Sequence, residues 1–117
     1  AGAKVLIADL DGDKARATAA DIEKLTGNAC MGVKCDVTSL EDINSTVNTA
    51  VREFGGVSTL VNNVGWGGVN PDPLAVSEDE MIASYKLNTI SAYRMSAACA
   101  PHLFKAKNAS ITSSGSF

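Results

Sequence analysis

The chain has 117 residues, a formal net charge of −3 and a pI of about 5.0, with 45 % hydrophobic and 20 % charged residues. That length supports one domain with one core, and the composition is that of a folded chain rather than a disordered one. The acidic balance argues against nucleic acid or an anionic membrane as the main partner, since both select clustered Lys and Arg.

The first apolar run, Val5-Leu6-Ile7-Ala8, is continuous, as expected for a parallel strand buried on both faces. Asp9 stands at its carboxyl end and Asp11-Gly12-Asp13 turns the chain. A helix is predicted from about Asp13 to Leu25, with Ala15, Ala19, Ile22 and Leu25 on one face and a stop at Gly27-Asn28. Ala29 to Cys35 reads as a second strand ending at Asp36-Val37. Thr38 and Ser39 with Glu41 and Asp42 form overlapping capping boxes. Leu40, Ile43, Val47, Ala50, Val51 and Phe54 then mark the clearest amphipathic helix, which Gly55-Gly56 ends. Val57 to Val61 is the third strand, and it stops at Asn62-Asn63-Val64-Gly65-Trp66-Gly67-Gly68.

Asn70-Pro71-Asp72-Pro73 reads as a rigid loop, and Ser77-Glu78-Asp79-Glu80 as a capping box that starts a helix. Helical pattern continues to about Phe104, with a break expected near Asn88. Its part from Ser91 to Ala100 is rich in Ala and Ser, which suits close packing on the sheet or on another subunit. Ser110-Ile111-Thr112 is the last short strand. The order β-α-β-α-β-α-β predicts an α/β fold of three layers, α/β/α, around an open parallel sheet.

No apolar run reaches the roughly 20 residues that span a bilayer. The opening Ala1-Gly2-Ala3-Lys4 leads into a strand rather than a signal peptide. Cys30, Cys35 and Cys99 are odd in number and match no zinc or redox spacing, so they read as reduced, mostly buried thiols of a cytoplasmic protein, with no metal site.

Polar groups recur at successive strand ends, where α/β sheets hold ligands. Asp9 is placed to accept two hydrogen bonds from a ribose diol and to repel a 2′-phosphate; it also serves as an ordinary turn residue. Asp36 can accept from an adenine amine while the Val37 backbone pairs with the ring edge; it equally suits a helix start. Asn62 and Asn63 offer amides and Gly65 permits close approach to the backbone, although an Asx-turn ends a strand with the same residues. Asn88 lies mid-helix, where Asn is unfavourable, and is either functional or solvent-facing. Ser113 follows a strand at the same edge, so its hydroxyl can hold a substrate oxygen or belong to a Ser-rich loop.

With Asp9, Asp36-Val37, Asn62-Asn63-Val64-Gly65, Asn88 within Lys86-Leu87-Asn88, and Ile111-Thr112-Ser113 in this order, the chain resembles a classical short-chain dehydrogenase/reductase. The likeness is greatest to hydroxysteroid and 3-oxoacyl-carrier reductase members, and Val64 stands where the family has Ala. The resemblance implies a partial Rossmann-type NAD(P)-binding domain over residues 1–117, a central fragment lacking the first strand-helix unit with its Gly-rich turn and the C-terminal part with its Tyr-x-x-x-Lys. It implies an NAD-dependent enzyme interconverting a secondary alcohol and a ketone, with the fragment inactive alone. Ser113 and Asn88 are the implied catalytic residues, and Asp9, Asp36, Val37, Asn62, Asn63 and Gly65 the implied cofactor contacts. NAD is favoured over NADP because of Asp9. A homo-oligomer through the long helix 85–104 is expected. The alternative is a non-catalytic nucleotide-binding or interaction module.

In the family's strand order, the missing first strand lies between the strands that begin near Val5 and Val57. Both would then lose a partner, so the chain is expected either not to fold stably alone or to pair with another chain.

Overall fold

The structure, a computed structural model, describes residues 2–68, 70–72 and 74–115. Pro73 of the expected rigid loop and the last residues of the tail, Ser116 and Phe117, lie outside the described residues, as do Ala1 and Val69. The elements in order are β1 (Val5–Asp9), α1 (Gly12–Thr26), β2 (Cys30–Lys34), α2 (Leu40–Phe54), β3 (Thr59–Asn62), α3 (Glu78–Tyr85), a π-helical turn (Lys86–Ile90), α4 (Ser91–Leu103) and β4 (Ser110–Ser113).

The helix starts follow from local chemistry. The Asp11 side chain accepts from Lys14 N, and the Ser39 side chain from Asp42 N. Ser77 and Glu80 form a full capping box, each side chain taking the other's backbone N–H. Gly27 and Gly55 close α1 and α2 at φ 70° and 86°, a left-handed conformation that glycine adopts without strain. The loop after Asn70 is pinned by side chains: Asn70 Oδ1 accepts from Asp72 N, and Asp72 Oδ1 from Leu74 N.

All pairing is parallel, but the strands form two separate two-stranded sheets, β1-β2 and β3-β4, rather than one continuous sheet. Among the described residues β1 has no partner on its other edge, and neither has β3. The expectation that Val5–Ala8 is buried on both faces is therefore corrected. Val5 is 40 % exposed, and Val61 of β3 is 60 % exposed, because a buried parallel strand needs neighbours on both edges.

Helices lie on both faces, as expected. Gly32 of β2, in register with Ile7, faces α1. Ala8 of β1, one residue on and so on the opposite face, packs against the core of Cys35, Ile43, Val47, Met95, Cys99 and Leu103 supplied by β2's end, α2 and α4. Ala15 and Ala19 of α1 are buried as predicted, but Leu25 is 84 % exposed. The helix packs chiefly on β2 and β1.

Gly32 sits so close to α1 that a Cβ there would fall 2.3 Å from the Ala15 carbonyl carbon and oxygen. These are backbone atoms and cannot rotate away. Gly32→Ala in the whole protein is expected to cost about 1–3 kcal/mol, as overpacking does. Chemical denaturation checks this, and an unchanged midpoint would show that α1 can lift off β2 freely.

Candidate cofactor and substrate site

The carboxyl ends of all four strands carry the predicted polar residues, and each is held by a short local network. Asp9 Oδ1 accepts from Asp11 N at 2.9 Å. The carboxylate thus closes a turn with one oxygen, and its other oxygen has no protein donor among the described residues. The turn role and a ligand role are compatible in the same side chain.

Asp36 has the same division of labour. Its Oδ1 accepts from Thr38 N at 2.8 Å and from Thr38 Oγ1 at 2.7 Å. Its backbone N–H donates to Asp42 Oδ2 at 2.9 Å, which anchors the strand end to the first turn of α2. The Thr38 hydroxyl and amide hold the Asp36 carboxyl below the usual carboxylate range. Being depressed, this group contributes stability above its ordinary titration range, and that contribution is lost as pH falls through the lowered value.

Asn88 lies in the π-helical turn. Its Oδ1 accepts from Trp66 N at 2.8 Å, and its Nδ2 donates to Trp66 O at 2.8 Å and to Ser84 Oγ at 3.0 Å. The side-chain amide thereby pairs both backbone groups of Trp66, as a strand neighbour would. It is not solvent-facing. The widened turn is the local departure that the misplaced Asn signals, since π-bulges recur at functional sites. A Cβ on Gly65 would lie 3.4 Å from Asn88 Oδ1, an ordinary contact. Crowding on that side therefore does not require glycine.

Asn62 and Ser113 are register partners at the ends of β3 and β4. Asn62 Nδ2 lies 3.5 Å from Ser113 Oγ and 3.3 Å from Ser96 Oγ on α4. Ser114 N donates to Asn62 O at 2.9 Å and fixes the strand ends side by side. Asn63 is exposed, and its side chain makes no hydrogen bond among the described residues.

A cleft of about 730 Å³ runs between β1 and β3, with Val37, Asn62, Asn63 and Val64 at its carboxyl end. Asp9, Asp36, Gly65, Asn88 and Ser113 stand outside its wall. The structure thus brings Asn62 and Ser113 together, and Gly65 and Asn88 together. Asp9 and Asp36-Val37 follow neighbouring strands as a second cluster.

Sequence reasoning missed Ser84, Ser96 and the Trp66 backbone. For Ser84 the signal was available: it stands one turn before Asn88, on the same helix face. It also passed over Thr38 as a partner of Asp36. Burial pushes the Cys35 and Cys99 thiols up, so neither is a ready nucleophile. Cys30, Cys35 and Cys99 are all free. No cluster of three or more His, Cys, Asp or Glu is suited to a metal among the described residues. No helix there is long and apolar enough to cross a membrane.

The family model described as short chain dehydrogenase matches residues 1–117. The chain is 33 % identical over 105 residues to 7alpha-hydroxysteroid dehydrogenase of Escherichia coli strain K12, covering 90 % of this chain and 40 % of that protein. It is 41 % identical over 103 residues to 4-formylbenzenesulfonate dehydrogenase of Comamonas testosteroni, covering 87 % of this chain and 40 % of that protein. A solved 7α-hydroxysteroid dehydrogenase, complexed with NADH and 7-oxo glycochenodeoxycholic acid, superposes with a TM-score of 0.88 at 32 % identity, over 99 % of this chain and 44 % of that one. The chain thus spans less than half the length of these relatives.

Proposed function

This chain belongs to the short-chain dehydrogenase family, and on that premise we propose that the whole protein is an NAD-dependent oxidoreductase interconverting a small secondary alcohol and its ketone. The observation that carries the reading is the pairing of Asn62 with Ser113 at the joint carboxyl edge of β3 and β4, beside the cleft that Val37 and Asn63 also line.

The acceptor groups suit a dinucleotide. Asp9 and Asp36 each retain one carboxylate oxygen without a protein donor among the described residues. The Asp36 oxygen suits an adenine amine, with the Val37 backbone beside it, and the Asp9 oxygen suits a ribose diol. Its negative charge disfavours a 2′-phosphate, which favours NAD over NADP. When bound, the nicotinamide supplies the hydride donor or acceptor. Asn62, Asn63 and Gly65 wall the adenosine side.

Ser113 is the catalytic residue of this reading: its hydroxyl orients the substrate oxygen. Asn88 is a positioning residue. Both its amide hydrogens are spent on Trp66 and Ser84, so a water held there is held as a donor, by the second lone pair of Oδ1 or by the main-chain oxygen.

Tyr85, Tyr93 and Phe104 are exposed along the segment 85–104, and a homo-oligomer through that segment would cover them. The free thiols support a cytoplasmic setting.

Titrating the whole protein with each dinucleotide tests the reading. NAD is expected to bind more tightly than NADP, and Asp9→Asn to narrow that preference by on the order of tenfold, or about 1.4 kcal/mol. Failure to bind either dinucleotide would overturn the function. An unchanged preference in Asp9→Asn would remove Asp9 from the site.

A further inference from the structure

We infer that Asn62 is a positioning residue that fixes the polarity of the Ser113 hydroxyl, making it a hydrogen-bond donor to a substrate carbonyl or alkoxide oxygen; this rests on the reading of Ser113 given above. Ser96 Oγ donates its single hydrogen to Ala92 O at 2.7 Å. A hydroxyl whose hydrogen is spent can only accept from its other neighbours. The Asn62 amide lies 3.3 Å from that oxygen, so the face it presents there must be the NH2 group. Hydrogen-bond chemistry, rather than an arbitrary choice between O and N, settles the amide's orientation.

The same nitrogen lies 3.5 Å from Ser113 Oγ, and its second hydrogen is available for that contact. Ser113 Oγ is therefore the acceptor. Its own hydrogen is left for an acceptor outside this network, at the edge where the substrate oxygen would sit. A directed chain results: Asn62 donates to both serines, Ser96 passes its hydrogen back to the helix backbone, and Ser113 turns its hydrogen outward. Contacts of this kind are often long without ligand and tighten in the complex.

A donor aimed at the substrate oxygen stabilises the charge that develops there when a ketone gains hydride, and equally the alkoxide formed when an alcohol loses its proton. A hydroxyl that has turned to donate into the protein stabilises neither. Asn62 thus acts through Ser113 without touching the substrate.

The test is Asn62→Asp in the whole protein, assayed with NADH and a small ketone that the unaltered enzyme reduces. The new carboxylate has no hydrogen, so it takes the hydrogen of Ser113. Turnover is expected to fall by on the order of tenfold to a hundredfold. Protonating that carboxyl restores a donor, so relative to the unaltered enzyme the variant should recover as pH is lowered through the new group's titration. A purely structural defect would not recover in that direction.

Ser96→Ala supplies a second variant should Asn62→Asp fail to fold. It frees the amide to rotate and should lower kcat several-fold without changing KM for NADH. Independently of activity, the titration of the introduced carboxyl, followed by NMR, should move upward when Ser113→Ala is added. If turnover in Asn62→Asp equals that of the unaltered enzyme at every pH, or if Ser113→Ala leaves that titration unmoved, the inference is overturned. If no ketone is reduced by the unaltered protein, the enzymatic reading fails instead, and the NMR titration still decides the geometry.

Discussion

A purified polypeptide of these 117 residues, held monomeric, is expected to show no cooperative thermal transition. Among the described residues, Ile43 and Cys35 are the largest side chains with essentially no exposure, and Leu10, Leu25, Leu74, Tyr93 and Phe104 are largely exposed. The radius of gyration is 15.6 Å, against the roughly 13 Å of a compact domain of this length. Among the described residues no strand pairs the facing edges of β1 and β3, and pairing is what repays the removal of their backbone groups from water at about 1–3 kcal/mol each.

The isolated polypeptide should melt gradually and bind a hydrophobic dye at room temperature, whereas the whole protein should melt in one sharp step. Scanning calorimetry on material shown to be monomeric by sedimentation decides the matter. A single endotherm with equal calorimetric and van't Hoff enthalpies would show that the two small sheets suffice.

The same edges explain what sequence could and could not reveal. Element order and helix starts were legible because they are local. Ser39 and Ser77 cap where the capping-box pattern places them, and Gly27 and Gly55 end helices by a backbone conformation that depends on no neighbour. Burial was legible only where both partners lie within the chain. Ala15 and Ala19 are buried against β1 and β2, whereas Leu25 and Val61, equally apolar, are exposed. The candidate site residues were readable as polar types at successive strand ends, since strand ends place their last residues on one edge. Their partners were not, because Thr38, Ser84 and Ser96 act through hydrogen bonds that no apolar period records. Asn88 shows the intermediate case. Its cost mid-helix flagged it, but only the fold shows that the cost is offset by clasping both backbone groups of Trp66.

The second large effect falls on Ser113. In the whole protein, Ser113→Ala is expected to reduce turnover of a secondary alcohol by on the order of a hundredfold to a thousandfold, the usual loss when one preorganised donor to a developing oxyanion is removed. KM for NAD should stay within about twofold, because Asp9 and Asp36 lie on the other pair of strands and are held by Asp11 and Thr38, not by Ser113. A fall confined to kcat marks an interaction made in the transition state rather than in cofactor binding. Ser114→Ala is the internal control. Ser114 is tied to the fold through its backbone, donating to Asn62 O at 2.9 Å, and its hydroxyl has no protein partner among the described residues. Its replacement should leave turnover within about twofold, since the backbone bond survives the change. The contrast between neighbouring serines separates a hydroxyl effect from a disturbance of β4. Full turnover in Ser113→Ala would move the donor elsewhere along the edge, and equal losses in both variants would make the effect one of strand geometry.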